Sequence, residues 1–564
     1  MKPSQLVIAL VAGIAVVVAL FASGGGSDRD APKSGGTSAP VAPKGALKVS
    51  FAYSPEKEGL LLPLVKRFNA QGVKVGGKPV FVEAANLSSG DVESKIAKGQ
   101  YEPVAWSPSS SLWGRLLNFE ADQAYAPDAS PSIVRTPLVF AMWQPMAEAL
   151  GYPKKAIGFS DILDLATSGA GWGKYGRPEY GKFKLVHTNP DYSTSGLSAV
   201  VAEYYAATGK KEGLSEADLR SSAVRQKAKA IEQSIVHYGD TTLYISDQLR
   251  KRGLGYASAV AMEEATLVDF NNHRGSQPKL VGVYPKEGTF YSDDPFIVLD
   301  APWVSAEQRE GAAAFQKFLA EEITPSVAAE GGFRPADIDA KPVAPISAEN
   351  GVDPAQPERV LGLPEPKVLA AAKQAWRQDR KPANILLVLD TSGSMGDEHR
   401  LDRAKEGLDV FFDEVGDQDR VGLLTFNDDL NLSLPLRPFG EVEPELRRTV
   451  GRLFADGGTA FYDAAVAAFN GVRDVGDEDR INAVVLLTDG EDQDSGRSFE
   501  EALDVLGSQG DSTDQVRVFT IAYSAGAAGA QKQLAELAAA TGGKSYEGTT
   551  DDIESVYRSI SSFF

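Results

Sequence analysis

Five oxygen-bearing side chains stand out by type and spacing. Asp390, Ser392 and Ser394 alternate in DTSGS, Thr459 follows two glycines in GGT, and Asp489 sits in TDG. A looping backbone can turn the three alternating oxygens toward one point, and Gly457 and Gly458 let the second loop come close. Two carboxylates with three hydroxyls make an all-oxygen donor set of the kind hard divalent cations take. Mg²⁺ wants octahedral oxygens at about 2.0–2.1 Å and keeps some of its waters. The two carboxylates neutralise the ion and the hydroxyls add no charge, so it stays electrophilic toward a carboxylate from outside. The expected cofactor is Mg²⁺, with Mn²⁺ or Ca²⁺ as alternatives.

A second set of residues points to a polar ligand. Ser193, Thr194 and Ser195 immediately precede an apolar-periodic stretch at 197–207. Ser109, Ser110 and Ser111 precede another at 112–118, and Ser54 follows a strand-like run at 47–53. Such turns aim free backbone N–H groups and the positive end of a helix at one point, which suits an anion. Each also reads as a plain helix cap worth about 0.5–2 kcal/mol. Ser54, Ser110, Ser193, Thr194 and Ser195 are the candidates for holding a small anionic or polar solute.

The elements that must position these residues fall into two patterns. Over 384–564, the apolar runs NILLVLD, VGLLTFN, INAVVLLTD and QVRVFTIAY alternate with amphipathic stretches at 401–415, 441–454, 459–473, 498–507, 530–541 and 551–562. Near-continuous apolar strands between helices predict a parallel sheet covered on both faces. That is a doubly wound α/β domain, which binds ligands at the carboxyl ends of its strands. Asp390 and Asp489 end two of those strands. Over 46–345, β-rich runs at 47–53, 79–83 and 104–106 alternate with helical spacing at 60–68 and 89–98, again α/β. The long run SIVRTPLVFAM at 132–142, with 296–299 as its candidate partner, fits two lobes joined by crossing strands. Residues 342–364, rich in Pro, Ala, Glu and Gly, predict an extended tether that runs into a linker at 346–383. Residues 367–380 predict a short helix leading into the next domain.

Composition narrows the classes. The 564 residues are 43 % apolar and 24 % charged, as in soluble globular proteins. There are no cysteines, which removes disulfides, thiolate zinc sites and a cysteine nucleophile. The four histidines are not at paired ligand spacing. The net charge of −20 falls entirely in 384–564, which holds 15 Lys+Arg against 35 Asp+Glu; the preceding part has 42 of each. An acidic domain repels nucleic acid and attracts cations, so no nucleic-acid partner is expected.

The chain opens with Lys2 and a 17-residue apolar run at 6–22. Its length lies between a signal-peptide core, about 7–15 residues, and a spanning helix, about 17–25. Ser23 stands where a lipoprotein box would carry its lipidated cysteine. The expected anchor is therefore the helix itself, with a cleaved signal as the alternative; either way the rest is exported. Residues 23–45 read as a flexible tether, which completes an anchor-and-tether segment at 1–45.

Two resemblances follow. AWSPSSSLWGRLLN (105–118), HTNPDYSTSGLSAVVAEYYAATG (187–209) and VYPKEGTFYSDDPFIVL (283–299) resemble bacterial extracellular solute-binding proteins of the two-lobed, oxyanion-binding type. That resemblance covers 46–345 and implies a periplasmic-binding-protein-like fold with a hinged ligand cleft. DTSGS, GGT and TDG match, in type, order and spacing, the metal-ion-dependent adhesion site of the von Willebrand factor A family. This second resemblance covers 384–564 and implies a Rossmann-like domain. By it, Asp390, Ser392 and Ser394 are first-loop ligands, Thr459 the second-loop ligand and Asp489 the third. It also implies a protein partner offering an Asp or Glu to the metal.

Together these readings describe a non-enzymatic, membrane-anchored extracellular binding protein. The alternative is the substrate-binding component of an ABC-type importer, which the appended acidic domain makes unusual. Assembly work beside an ATPase conflicts with export. Catalysis is not expected, because no nucleophile–base pair appears.

Overall fold

The computed structural model describes residues 42–509, 515–523 and 528–564. The apolar run at 6–22 and Ser23, which carry the anchor reading, lie outside them. Among the described residues no helix is long and apolar enough to cross a membrane.

The first lobe is built on a five-stranded sheet in the order Ile297–Val298, Ala105–Ser107, Leu47–Tyr53, Lys78–Asn86, Lys74–Val75. Helix Glu58–Gln71 covers it with a stripe of Leu60, Leu61, Leu64, Val65 and Phe68, one face of a 3.6-residue repeat. The helix stops at Gly72, which takes the left-handed conformation. The second lobe is organised by Val134–Trp143, nearly all of it buried. This strand pairs with Ala259–Glu263, Leu280–Val283, Tyr291–Ser292 and Arg334–Pro335, and Leu185–Thr188 and Ile235–Gly239 extend the sheet.

One expected pairing is corrected. Residues 296–299 do not join the long strand; Ile297–Val298 pair antiparallel with Ala105–Ser107 in the first lobe. Tyr291–Ser292 take the edge of the long strand instead. Between them Asp294, at φ 40, turns the chain from one lobe to the other. Its buried carboxylate is held by Lys57 at 2.7 Å.

The stretch 342–364 is not a free tether. Val360 bridges to Thr289 of the second lobe, and the Arg334 guanidinium donates to the carbonyls of Asp353 and Gln356. Helix Pro366–Asp379 then lies across both lobes. Its Lys373 sits over the Trp113 ring of the first lobe, and its Trp376 donates to Glu232 of the second.

The last domain has a six-stranded sheet in the order Leu430–Pro438, Arg420–Phe426, Ala383–Asp390, Ile481–Thr488, Val516–Tyr523, Ser545–Gly548. Every pair is parallel except the first. The antiparallel strand Leu430–Pro438 departs from the all-parallel expectation. Its LNLSLPLRP sequence buries only Leu434 and carries two prolines, as an edge strand can.

A single apolar cluster runs from the first lobe through the second and helix Pro366–Asp379 into one face of this sheet; a smaller cluster fills the other face. The second lobe docks where the parallel strands begin. Arg517 donates to the Val236 carbonyl, the Lys381 N–H to the Tyr238 hydroxyl, and Tyr244 to the Gly542 carbonyl. Lys544 pairs with Asp240, and Phe563, fully buried, stacks between Phe519 and the second lobe's Tyr244 and His237.

Candidate functional site

DTSGS, GGT and TDG meet at the other end of those strands. Ala383–Asp390 and Ile481–Thr488 are adjacent and parallel, so Asp390 and Asp489 leave the sheet side by side. Asp390 is fully buried. Its Oδ2 accepts from the Thr488 hydroxyl at 2.5 Å and its Oδ1 from the Ser392 N–H at 2.7 Å. Burial pushes its carboxyl up to about 6 and the nearby Asp489 adds to this, while the bonds from Thr488 and Ser392 pull it down. The Ser392 and Ser394 hydroxyls lie 3.1 Å apart, and Ser394 donates to Asp489 Oδ1 at 2.7 Å. The Gly393 N–H donates to the Gly457 carbonyl at 3.0 Å, which draws the GGT loop in. A methyl group at Gly490 would stand 3.9 Å from the Thr459 hydroxyl, so Thr459 faces the turn after Asp489. The structure thus brings together all five oxygen-bearing residues singled out in the sequence.

The donor set fits a hard divalent cation: two buried carboxylates, three hydroxyls, no sulfur and no nitrogen ligand. Asp390, Ser392, Ser394, Thr459 and Asp489 would hold it, the carboxylates supplying compensating charge and the hydroxyls neutral oxygens. Sequence reasoning missed one neighbour. Arg400 donates to Asp489 Oδ2 at 2.7 Å, so that carboxylate already has a tethered cation. Nothing in the motif spacing signals it. The rim is acidic, with Asp428 and Asp494 against the GGT loop. Phe454, just before that loop, is 74 % exposed.

The second candidate set faces a narrow cleft of about 20 Å³ between the lobes. Ser54, Ser193 and Thr194 line it, together with Ser88, Ser89 and Ser109. Ser110 does not; its hydroxyl accepts from the Leu112 N–H at 3.3 Å. Ser195 lies just behind the wall, bonded to Thr188 at 2.8 Å. The lobes touch: the Gly90 N–H donates to the Tyr192 carbonyl and Trp113 Nε1 to the Thr194 hydroxyl at 2.7 Å. Gly90 is required there, since a Cβ would fall 2.1 Å from the Asp191 carbonyl oxygen. The sequence reading also missed three carboxylates that line this cleft, Glu56, Asp240 and Glu263.

A third polar cluster is sealed in the second lobe. His187, Glu203 and Glu232 bring ligand atoms within 4.8 Å of one another. His187 Nε2 lies 3.1 Å from Glu232, whose other oxygen accepts from Tyr238 and Trp376. Burial and the Glu232 charge hold the Glu203 carboxyl well above its usual range. Burial also disfavours charge on Glu232, but His187, Tyr238 and Trp376 outweigh it and hold this carboxyl low. The cluster ties helix Pro366–Asp379 to the second lobe.

Fold and site together define a two-lobed binding protein joined to an α/β domain with a cluster of oxygen donors at its strand ends. The family model for bacterial extracellular solute-binding proteins matches residues 49–334, and that for the von Willebrand factor type A domain matches 384–558. The chain belongs to the bacterial extracellular solute-binding protein family and carries a von Willebrand factor A domain behind it. An uncharacterised protein of Mycobacterium tuberculosis is 24 % identical over 411 residues, covering 70 % of this chain. The match spans 58 % of that relative's length. Among solved structures, the periplasmic binding protein AfuA from Actinobacillus pleuropneumoniae is similar at 14 % identity and TM-score 0.42, covering 60 % of this chain and 99 % of its own. A von Willebrand factor type A protein from Catenulispora acidiphila is similar at 20 % identity and TM-score 0.28, covering 32 % of this chain and 42 % of its own. Both families are binding domains rather than enzymes.

Proposed function

We propose that this is an exported binding protein, held at the membrane by the apolar run at 6–22, that grips a partner protein through its von Willebrand A domain. The observation that carries this reading is the convergence of Asp390, Ser392, Ser394, Thr459 and Asp489 where the strands end, remote from the docked lobes. The docking contacts sit at the starts of the same strands, roughly 25 Å away for an eight-residue strand at about 3.3 Å per residue. The lobes therefore leave the site open to a partner.

A bound Mg²⁺ would offer a Lewis-acid position to a carboxylate from outside. The chain's own residues do the rest. Asp390 and Asp489 supply compensating charge, the hydroxyls complete the shell without adding charge, and the acidic rim rejects partners that present more than an isolated acid. The two lobes hold a small solute between them. Binding of an immobilised peptide bearing one Asp tests the partner reading. Retention in Mg²⁺, loss in EDTA and loss in Thr459→Ala are expected; retention in EDTA would refute it.

A further inference from the structure

The hydroxyls that suit an anion are already occupied by the chain itself. Ser54 and Ser109 both donate to Glu56 Oε1, the second at 2.7 Å. Thr242 donates to Glu263 Oε2 at 3.0 Å, and Ser195 bonds the same carboxyl. Ser195 and Thr242 lie in the first turns of helices Thr194–Thr208 and Thr242–Arg252. Glu263 thus stands where those helix ends would receive an oxyanion. Glu56 does the same at the turns after Leu47–Tyr53 and before Leu112–Glu120.

The charges around the cleft do not cancel. Asp240 is matched by Lys544 of the von Willebrand A domain. The buried Lys57 is matched by Asp294 at 2.7 Å and stands 3.6 Å from Glu56. Counted by residue type, that leaves one acidic side chain in excess on each lobe, Glu56 on the first and Glu263 on the second. Among the described residues, no lysine, arginine or histidine lines the cleft. Closing the lobes brings two like charges into one narrow space of low dielectric, which is unfavourable unless a positive charge lies between them. Burial raises the Glu263 carboxyl to about 7, and the facing Glu56 adds to this.

We propose that the interlobe cleft takes a small organic cation rich in N–H donors, such as a primary ammonium or guanidinium group, held between Glu56 and Glu263. This rests on reading the cleft as the solute site. Each carboxylate keeps unused lone pairs beside its hydroxyl donors, so a donor-rich cation adds bonds without displacing any. The wall offers acceptors on every side and one aromatic ring, Tyr192, whereas a quaternary ammonium would need a cage of rings. Lobe closure on such a ligand turns the repulsion into two charge-assisted contacts.

The test uses the full chain with putrescine and guanidinium as cationic probes, Ca²⁺ and Mn²⁺ as metal probes, and sulfate, phosphate and molybdate as anionic ones, read by calorimetric titration. Binding of a cationic probe, with affinity falling at least about tenfold in Glu56→Gln and in Glu263→Gln, is the expected result. Both substitutions keep shape, and circular dichroism checks that they fold. If the wild type binds an oxyanion and no cationic probe, the cleft works but the charge assignment is overturned. If only Ca²⁺ or Mn²⁺ binds, and both Gln variants lose it, the organic-cation assignment is overturned. If cation binding is unchanged in both variants, its placement is wrong. If no probe binds, the solute-site reading itself fails.

Discussion

Arg400→Ala probes the metal site from a residue that is not one of its oxygen donors. In the structure Arg400 lies 2.7 Å from Asp489 Oδ2, with its side chain 18 % exposed and that of Asp489 fully buried. Asp489 keeps one other contact, the Ser394 hydroxyl. Breaking a fully buried pair by removing one partner costs about 3–5 kcal/mol. Arg400 reaches solvent and water can follow it out, so the metal-free cost is smaller, about 1–3 kcal/mol. In Mg²⁺ the sign reverses. The ion loses a tethered competitor, and its affinity should rise at least about tenfold, or about 1.4 kcal/mol. Mg²⁺ at about 100 times its dissociation constant adds about 2.7 kcal/mol, which brings the variant back to about the stability of the metal-free wild type. The assay is urea unfolding followed on the acidic domain, with EDTA and then Mg²⁺, beside calorimetric Mg²⁺ titration. Unchanged stability of Arg400→Ala in EDTA together with weaker Mg²⁺ binding would refute the reasoning.

Three further outcomes follow from other parts of the molecule. Glu93 is fully buried and neither of its carboxyl oxygens has a hydrogen-bond partner. Burial and the nearby Glu120 raise it to about 8, against the opposing Lys373 and Lys98. Between pH 4.5 and 8 the folded state keeps a proton the unfolded chain has lost, so this group's contribution to stability falls as pH rises. Glu93→Gln should remove that slope and be the more stable protein by about 1–3 kcal/mol above pH 8, read by thermal melts across pH. Phe563→Ala should cost about 3–5 kcal/mol and separate the unfolding of the second lobe from that of the acidic domain in calorimetry; a single unshifted transition would count against the shared core. Gly196→Ala would put a Cβ 2.0 Å from the Thr188 carbonyl oxygen, so loss of at least about 1–3 kcal/mol is expected in urea unfolding.

Much of the fold was legible because long apolar runs bury on both faces. NILLVLD and INAVVLLTD read as parallel strands, and the structure pairs them. Most of each of the helices at 58–71, 89–97 and 499–507 was marked by apolar spacing between the strands. The edge strand Leu430–Pro438 escaped because half-exposed leucines between polar residues and prolines resemble a loop. The pairing of Ile297–Val298 escaped because a strand's partner depends on where the chain crosses between lobes, and that turn rests on one residue, Asp294. At the candidate metal site, local motifs carried their oxygens to strand ends, where topology brought them together. Arg400 belongs to no such motif. In the cleft the hydroxyl turns were visible, but Glu263 comes from a distant strand, and one-dimensional spacing shows nothing of a carboxylate that takes the hydroxyls first.

The central claim is that Asp390 and its four partners hold a divalent cation at the open end of the last domain. The most direct measurement is Mn²⁺ binding to the full chain by electron paramagnetic resonance, for wild type and for Asp390→Ala, with thermal melts in EDTA to confirm that both fold. One tightly bound equivalent in the wild type, displaced by Mg²⁺ and missing in Asp390→Ala, is the expected result. No bound Mn²⁺ in the wild type, or the same binding in folded Asp390→Ala, would contradict it.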